Sequence, residues 1–394
     1  MRPPNLARLL LGAILIVTVS TQPVFLLGAA FLQVGSEFGF GPTGLGVLTA
    51  LFFLTASLAS TPLGRVVERI GWQRAMRFNA AGSAVTSLLI ALLADDVIVL
   101  GGLLVIGGAV YGLANPAANQ SLADHVDPRR RALVFGLKHA GIPSSTLLAG
   151  LALPLVILTV GWRASFVGAA VLAALVGLFV PRGELPPTVG RFADDTRRSV
   201  APMPPRLLAG LAGASSLATW GAIALSTYLV AAAVDVGFSE SSAGLLLFAG
   251  SAASITGRVV AGAVTDRLGG RGFGAVSLLT AIGACVFAVI GATSGPVFAA
   301  LVLVAFATGW GWPGLMTYAV VNANAGSAAS SSAITQAGIF VGAGVGPIVL
   351  GKIVEDASFD AAWIAVAAAL AVAAIGVTAV GRRAVTAGRA TPQL

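Results

Sequence analysis

Twelve stretches of mainly apolar residues succeed one another along this chain, each close to the roughly 20 residues a helix needs to cross a bilayer. They run at Leu9–Val34, Thr43–Val66, Ala75–Ala94, Val97–Ala118, Ala132–Leu158 and Trp162–Val180, and again at Arg206–Val234, Glu240–Val264, Gly274–Ala292, Pro296–Val321, Ser330–Ile353 and Ala361–Val380. No other feature restricts the fold as much. Hydrocarbon offers no partner to backbone N–H and C=O groups, and a helix satisfies them within its own segment. The expected class is therefore an all-α membrane protein. With 57% hydrophobic and 10% charged residues, against about a quarter charged in soluble domains, the chain lacks the polar groups to cover a surface in water. Its 50 glycines suit helices that approach closely in lipid, where small residues replace the hydrophobic drive.

The spans fall into two sets of six around a polar, proline-rich stretch. The expected organisation is a six-helix bundle over 1–180, a linker over 181–205, and a second bundle with a short tail over 206–394. Basic residues set the orientation. Arg2, Arg8, the arginines from Arg65 to Arg77, Arg129 to Arg131, the linker arginines, Arg267, Arg271 and Arg382, Arg383 and Arg389 fall on one side. Only Arg163 and Lys352 fall on the other, with Glu37, Asp95, Asp96, Glu355, Asp356 and Asp360. Both termini are thus expected in the cytoplasm, and the location is a multi-pass protein of a bacterial cytoplasmic membrane.

Several classes are excluded. The net charge of +8 is spread over short loops, with no contiguous basic domain to follow a phosphate backbone, so nucleic acid is not an expected partner. Cys285 is the one cysteine, and His125 and His139 are the only histidines, so neither an intrachain disulfide nor a multi-histidine metal site is expected. The apolar stretch after Arg2 and Arg8 exceeds a signal-peptide core and reads as the first span. No phosphate-binding loop, nucleophile triad or paired carboxylate appears, so neither an enzyme nor a resident cofactor is expected.

An internal repeat supports duplication. Gly64, Glu68, Arg69, Gly71 and Arg74 follow the second span; Gly262, Asp266, Arg267, Gly269 and Arg271 follow the eighth, and the leading glycines are 198 residues apart. Ala140-Gly141-Ile142 in the fifth span echoes Ala337-Gly338-Ile339 in the eleventh, at an offset of 197. On these motifs the chain resembles the major facilitator superfamily, with Glu68 where an aspartate is usual and Trp72 where a basic residue is common. The resemblance covers essentially the whole chain. It implies a major facilitator fold of two pseudo-symmetric bundles, and assigns the two clusters to a gate at the cytoplasmic rim. Glycine there allows close approach or a left-handed backbone, and the acid and arginine can pair with each other and with helix ends. The fifth span also looks like the family's glycine-patterned helix through Gly141 and Gly150, with Leu153-Pro154 replacing its closing Gly-Pro. The eleventh keeps Gly342, Gly346-Pro347 and Gly351.

Ionisable residues inside a span are functional hypotheses by default. Lys138, His139 and Arg258 are such residues, and no carboxylate sits mid-span. Lys138 and Arg258 each lie six residues inside their spans, roughly 9 Å from the cytoplasmic ends at 1.5 Å per residue. In the family's fold the fifth and eighth helices face each other, which brings the two cations to the cleft without a protein counter-ion. An unpaired buried charge costs several kcal/mol, and an anionic substrate would offset it. Ser251, Ser254, Arg258 and Thr265, spaced by 3, 4 and 7, share one helical face. Arg258 with Gly262 also resembles the substrate-binding arginine of monocarboxylate and oxalate/formate carriers. The expected substrate contacts are Arg258, Lys138, Gln22, Asn115 and Trp220, with Asn119, Trp310, Trp312, Tyr228, Tyr318 and Gln336 as further polar groups at spanning depth. His139, or the peripheral Asp235, is the expected proton site.

The function expected is a secondary transporter of a small anion, such as a monocarboxylate, with protons as a possible co-substrate and the monomer as the working unit. One rival is a proton-coupled exporter of drugs or metabolites on the same fold; the fourth span lacks the arginine typical of those antiporters. A non-transporting receptor or scaffold is the rival from another class, and the absence of long loops speaks against it.

Overall fold

The computed structural model describes residues 6–123, 131–180, 203–267, 272–324 and 328–386. All secondary structure among them is helical. Twelve helices are long and apolar enough to cross a membrane: α1 Leu6–Ala29, α2 Pro42–Ile70, α3 Trp72–Leu93, α4 Val97–Leu122, α5 Gly136–Val160, α6 Trp162–Phe179, α7 Pro205–Asp235, α8 Glu240–Arg267, α9 Gly272–Ile290, α10 Gly295–Ala323, α11 Ser331–Asp356 and α12 Phe359–Ala384. This is the expected six and six. Linker positions 181–202, with Asp124, His125, Gly269 and Arg271, lie outside the described residues.

Several ends differ from the sequence reading by a few residues. The first span closes at Ala29, and the rest of it forms a separate helix, Phe31–Phe38, after a one-residue break at Ala30. Helices α8 and α11 run on to Arg267 and Asp356, because polar end residues can stay helical where the chain leaves the lipid. Gly71, with φ +82, is the single residue between α2 and α3. This is the left-handed backbone that a Cβ would resist, and it explains the second glycine of the first repeated cluster.

Helix α1 packs on α4, α5 and α6, and α7 packs on α11 and α12. The halves meet where α1 packs on α7, α2 on α11, and α5 on both α8 and α10. Missing side chains make these seams tight. A Cβ on Gly28 would stand 3.0 Å from the Ser226 carbonyl, one on Gly46 2.2 Å from that of Pro347, and one on Gly150 2.6 Å from the Phe248 nitrogen.

The polar middles of several helices are interrupted. Helix α4 turns at Gly112-Leu113 between Val97–Tyr111 and Ala114–Ala123. Its counterpart α10 breaks at Trp310–Trp312, between Gly295–Gly309 and Pro313–Ala323. Gly112 and Gly309, like Pro116 and Pro313, are 197 residues apart, so the duplication includes the break. Helix α5 is broken at His139-Ala140, after Arg131–Lys138, and contains a π-turn at Leu153–Ile157 where Pro154 removes a donor.

Because twelve spans return the chain to its starting side, Leu6 and Arg383 lie on one face, here the terminal face. On the opposite, far face the halves are bonded together. Thr43 donates to Glu355 from its backbone N–H (3.0 Å) and its hydroxyl (2.6 Å). The Tyr228 hydroxyl reaches the carbonyls of Pro347 (2.6 Å) and Pro42 (3.1 Å). The Gln33 amide donates to Glu240.

Candidate functional site

Helices α5, α8 and α10 enclose a cleft of about 640 Å³, counting the part open to solvent. Small residues make the space: Gly136, Ala140, Gly262, Gly311 and Gly314 line it with Arg258, and Thr265, Asp266 and Tyr318 stand toward the terminal face. Gly262 serves it directly, since a Cβ there would meet nothing within 4 Å.

Arg258 is held on two sides. Pro143, four residues beyond His139, has no N–H to offer the His139 carbonyl, and Nη1 of Arg258 donates to it at 2.8 Å. The guanidinium also lies 5.4 Å from the centroid of the Trp310 ring, a cation–π distance. Nε and Nη2 are buried and have no hydrogen-bond partner among the described residues. Those two groups form one edge of the planar fork, the edge that binds both oxygens of a carboxylate. One turn toward the far face, the buried Ser254 hydroxyl is likewise unpartnered.

Lys138 differs from the sequence expectation of an uncompensated cation. Its Nζ donates to Oδ1 of Asn115 and Oδ1 of Asn119, both at 2.8 Å, and the side chain is 3% exposed. Two amide dipoles, not a carboxylate, solvate the ammonium. The Asn115 amide N–H in turn reaches the Tyr111 hydroxyl at 3.2 Å. Asn119 was legible only as a polar residue at spanning depth, because its partner was fixed by the fold.

Arg258 also sits deeper than the sequence reading put it. Helix α8 continues to Arg267, so nine residues, about 13 Å, separate Arg258 from the helix end. The bond to His139 still brings it level with Lys138, which agrees with the expectation of one depth.

The other expected contacts are dispersed. Gln22 is buried in α1 and accepts from the Ser145 hydroxyl of α5. Trp220 packs on Gly346 of α11, where a Cβ would stand 3.0 Å from its ring. Asp235 is exposed at the far end of α7, outside the cleft lining. In the repeated clusters Glu68, Arg69, Asp266 and Arg267 are exposed. The expected acid–arginine pairs do not form: these four residues make no ion pair among the described residues. Gly64 faces open space, so its lack of a side chain is not required by packing in this arrangement. Thr146 of α5 and Ser251 of α8 bond at 2.7 Å across the seam, which uses the Ser251 position of the predicted polar face.

The family model described as Major Facilitator Superfamily matches residues 10–336 and, again, 210–393. No curated protein matches the sequence significantly. Many solved structures share the fold, two of them from one transporter group. One is a bacterial homolog to the human lysosomal transporter Spinster, inward-facing and unoccupied, at TM-score 0.76 and 17% identity, covering 100% of each chain. The other is a bacterial homolog of the same transporter, inward-facing and occupied, at TM-score 0.68 and 15% identity, covering 99% of this chain and 98% of that one.

Proposed function

This chain belongs to the major facilitator superfamily, and on that premise we propose that the transporter carries a small organic carboxylate, bound at Arg258. The observation that supports this is the buried, unpartnered Nε–Nη2 edge of the guanidinium, on an arginine that lines the cleft. The edge is held in place by the His139 carbonyl and the Trp310 ring. Buried donors without partners carry a desolvation cost, and a carboxylate removes it with two charge-assisted bonds. The carboxylate's charge also neutralises a guanidinium that no acid among the described residues pairs.

In this reading the halves rock about the bound anion, with both termini in the cytoplasm of a bacterial cell. The bonded far face is the closed side, and the unpaired Glu68, Arg69, Asp266 and Arg267 belong to the released cytoplasmic gate. Lys138, ringed by Asn115 and Asn119, adds positive potential from the opposite half. Proton symport rests on His139, whose carbonyl touches Arg258. Uptake should lose its pH dependence in His139→Gln while the transport itself persists; unchanged pH dependence assigns the proton elsewhere.

The direct test is binding and uptake of acetate, lactate and oxalate by purified protein in vesicles. Arg258→Ala should weaken binding about 10- to 1000-fold with normal insertion. Arg258→Lys, which keeps the charge and loses the fork, should fall between. Uptake by Arg258→Ala equal to wild type, or stabilisation of the wild type only by cations or neutral solutes, rejects the carboxylate.

A further inference from the structure

Trp310 does two things at once. Its ring face lies under the Arg258 guanidinium, and its indole N–H points away, into α7, donating to the Ala222 carbonyl at 2.7 Å and the Ser226 hydroxyl at 3.2 Å. The side chain is 5% exposed, and the interruption of α10 at Trp310–Trp312 frees it from the direction an unbroken helix would impose. Ser226 is also where α7 meets the other half. Its carbonyl lies 3.0 Å, and that of Thr227 3.2 Å, from where a Cβ on Gly28 of α1 would stand. One buried residue therefore connects the arginine of the cleft to the α1–α7 seam.

We propose that Trp310 is a positioning residue that couples occupancy of Arg258 to movement of the two halves, its ring orienting the guanidinium and its N–H fixing that ring to α7 at the contact with Gly28. The inference rests on the carboxylate reading for its ligand. An anion drawn to the free edge pulls Arg258 along the guanidinium plane, across the indole face, and the indole cannot follow without straining its two bonds to α7. The backbone of α7 at Ala222 and Ser226 then shifts against α1, where glycine leaves no cushion of side chain. Ring and N–H thus have separable roles, which a residue serving only as core filler would not show.

Two substitutions separate them. Trp310→Phe keeps an aromatic face for Arg258 and removes the donor; Trp310→Leu removes both. Binding is read with acetate and oxalate on purified protein, turnover in vesicles, and far-face opening as the distance between labels at Asp95→Cys and Ala357→Cys in a Cys285→Ser background. The expected result is that Trp310→Phe binds within about threefold of wild type, turns over about tenfold more slowly, and no longer shifts the label distance on adding anion. Trp310→Leu should weaken binding about tenfold or more. Ser226→Ala, which leaves the Ala222 bond, should show a milder turnover loss. Turnover of Trp310→Phe within twofold of wild type overturns the proposal, and so does equal loss of binding in Phe and Leu variants. If wild type binds neither anion, the carboxylate reading fails. The coupling role then stands only if Trp310→Phe alters the label distances of the unliganded protein, and falls if it does not.

Discussion

The α5–α8 seam and the α2–α11 seam occupy equivalent positions in the two duplicated halves, and they have been put to different uses. Both owe their closeness to glycine. At α5–α8, however, polar groups run along the contact: Thr146 with Ser251, then the His139 carbonyl with Arg258, beside the amide-ringed Lys138. At α2–α11 the middle is apolar, with Gly344 against Leu54, and the contact is backbone-tight toward the far end, with Gly46 against Pro347 and Gly351 against Pro42. Its polar contacts gather at the far end, on Glu355, Thr43 and Tyr228. Pro347, Gly351 and Glu355 recur every four residues, so one stripe of α11 carries the far end of the contact. The same fold has yielded a seam suited to holding a charge and a seam suited to opening and closing.

The largest effect that would break this comparison is expected at Gly46. A Cβ there meets the Pro347 carbonyl at 2.2 Å and the Tyr228 hydroxyl at 2.7 Å, so Gly46→Leu must force α2 from α11, at about 2–3 kcal/mol. Thermal unfolding should show the loss while any folded fraction keeps its affinity for carboxylate. Lost affinity at full stability would mean that the seams share one role. Next come the repeated clusters. Arg69→Ala and Asp266→Ala should each slow turnover about tenfold with binding changed less than about threefold; a binding defect at an unaltered gate equilibrium would remove them from the gate.

Glu355→Gln should be smaller. Its acid accepts two bonds from Thr43, and weakening them costs about 1 kcal/mol. The balance of conformations, followed by labels on the far face, should shift toward far-open several-fold, with Thr43→Val giving a similar shift. No shift in either variant would leave the α2–α11 seam closed by packing alone.

The smallest effect sharpens the contrast by lying off both seams. Glu37 accepts from the Trp162 indole and the Arg163 guanidinium, each at 2.7 Å. The Trp162 bond first, then Arg163, holds its carboxyl below the usual value of 4.5. A depressed acid stabilises the fold above its unfolded value, and that contribution fades as pH falls from about 4.5 through the folded value. Both ionic side chains are about 40% exposed, so only a few tenths of a kcal/mol are at stake. Glu37→Gln should lower the melting temperature slightly at pH 7 and not at pH 3; an equal loss at both would point to packing.

What could be read from the chain alone were the features written in local composition. Span count, duplication and the place of Arg258 and Lys138 inside their spans follow from apolar length and repeated spacing, and each needs only neighbours in sequence. The left-handed Gly71 and the spacing of the α8 polar face belong to the same class. What surrounds each charge did not follow. Asn119 beside Lys138, Trp310 beneath Arg258 and Thr43 against Glu355 join residues 19, 52 and 312 positions apart, and nothing local selects those partners. The free His139 carbonyl, by contrast, is local: Pro143 stands four residues further on and has no N–H to give it. Helices form from short-range bonds that sequence encodes directly, whereas a guanidinium's free edge is whatever remains after distant backbones have taken their share of its donors.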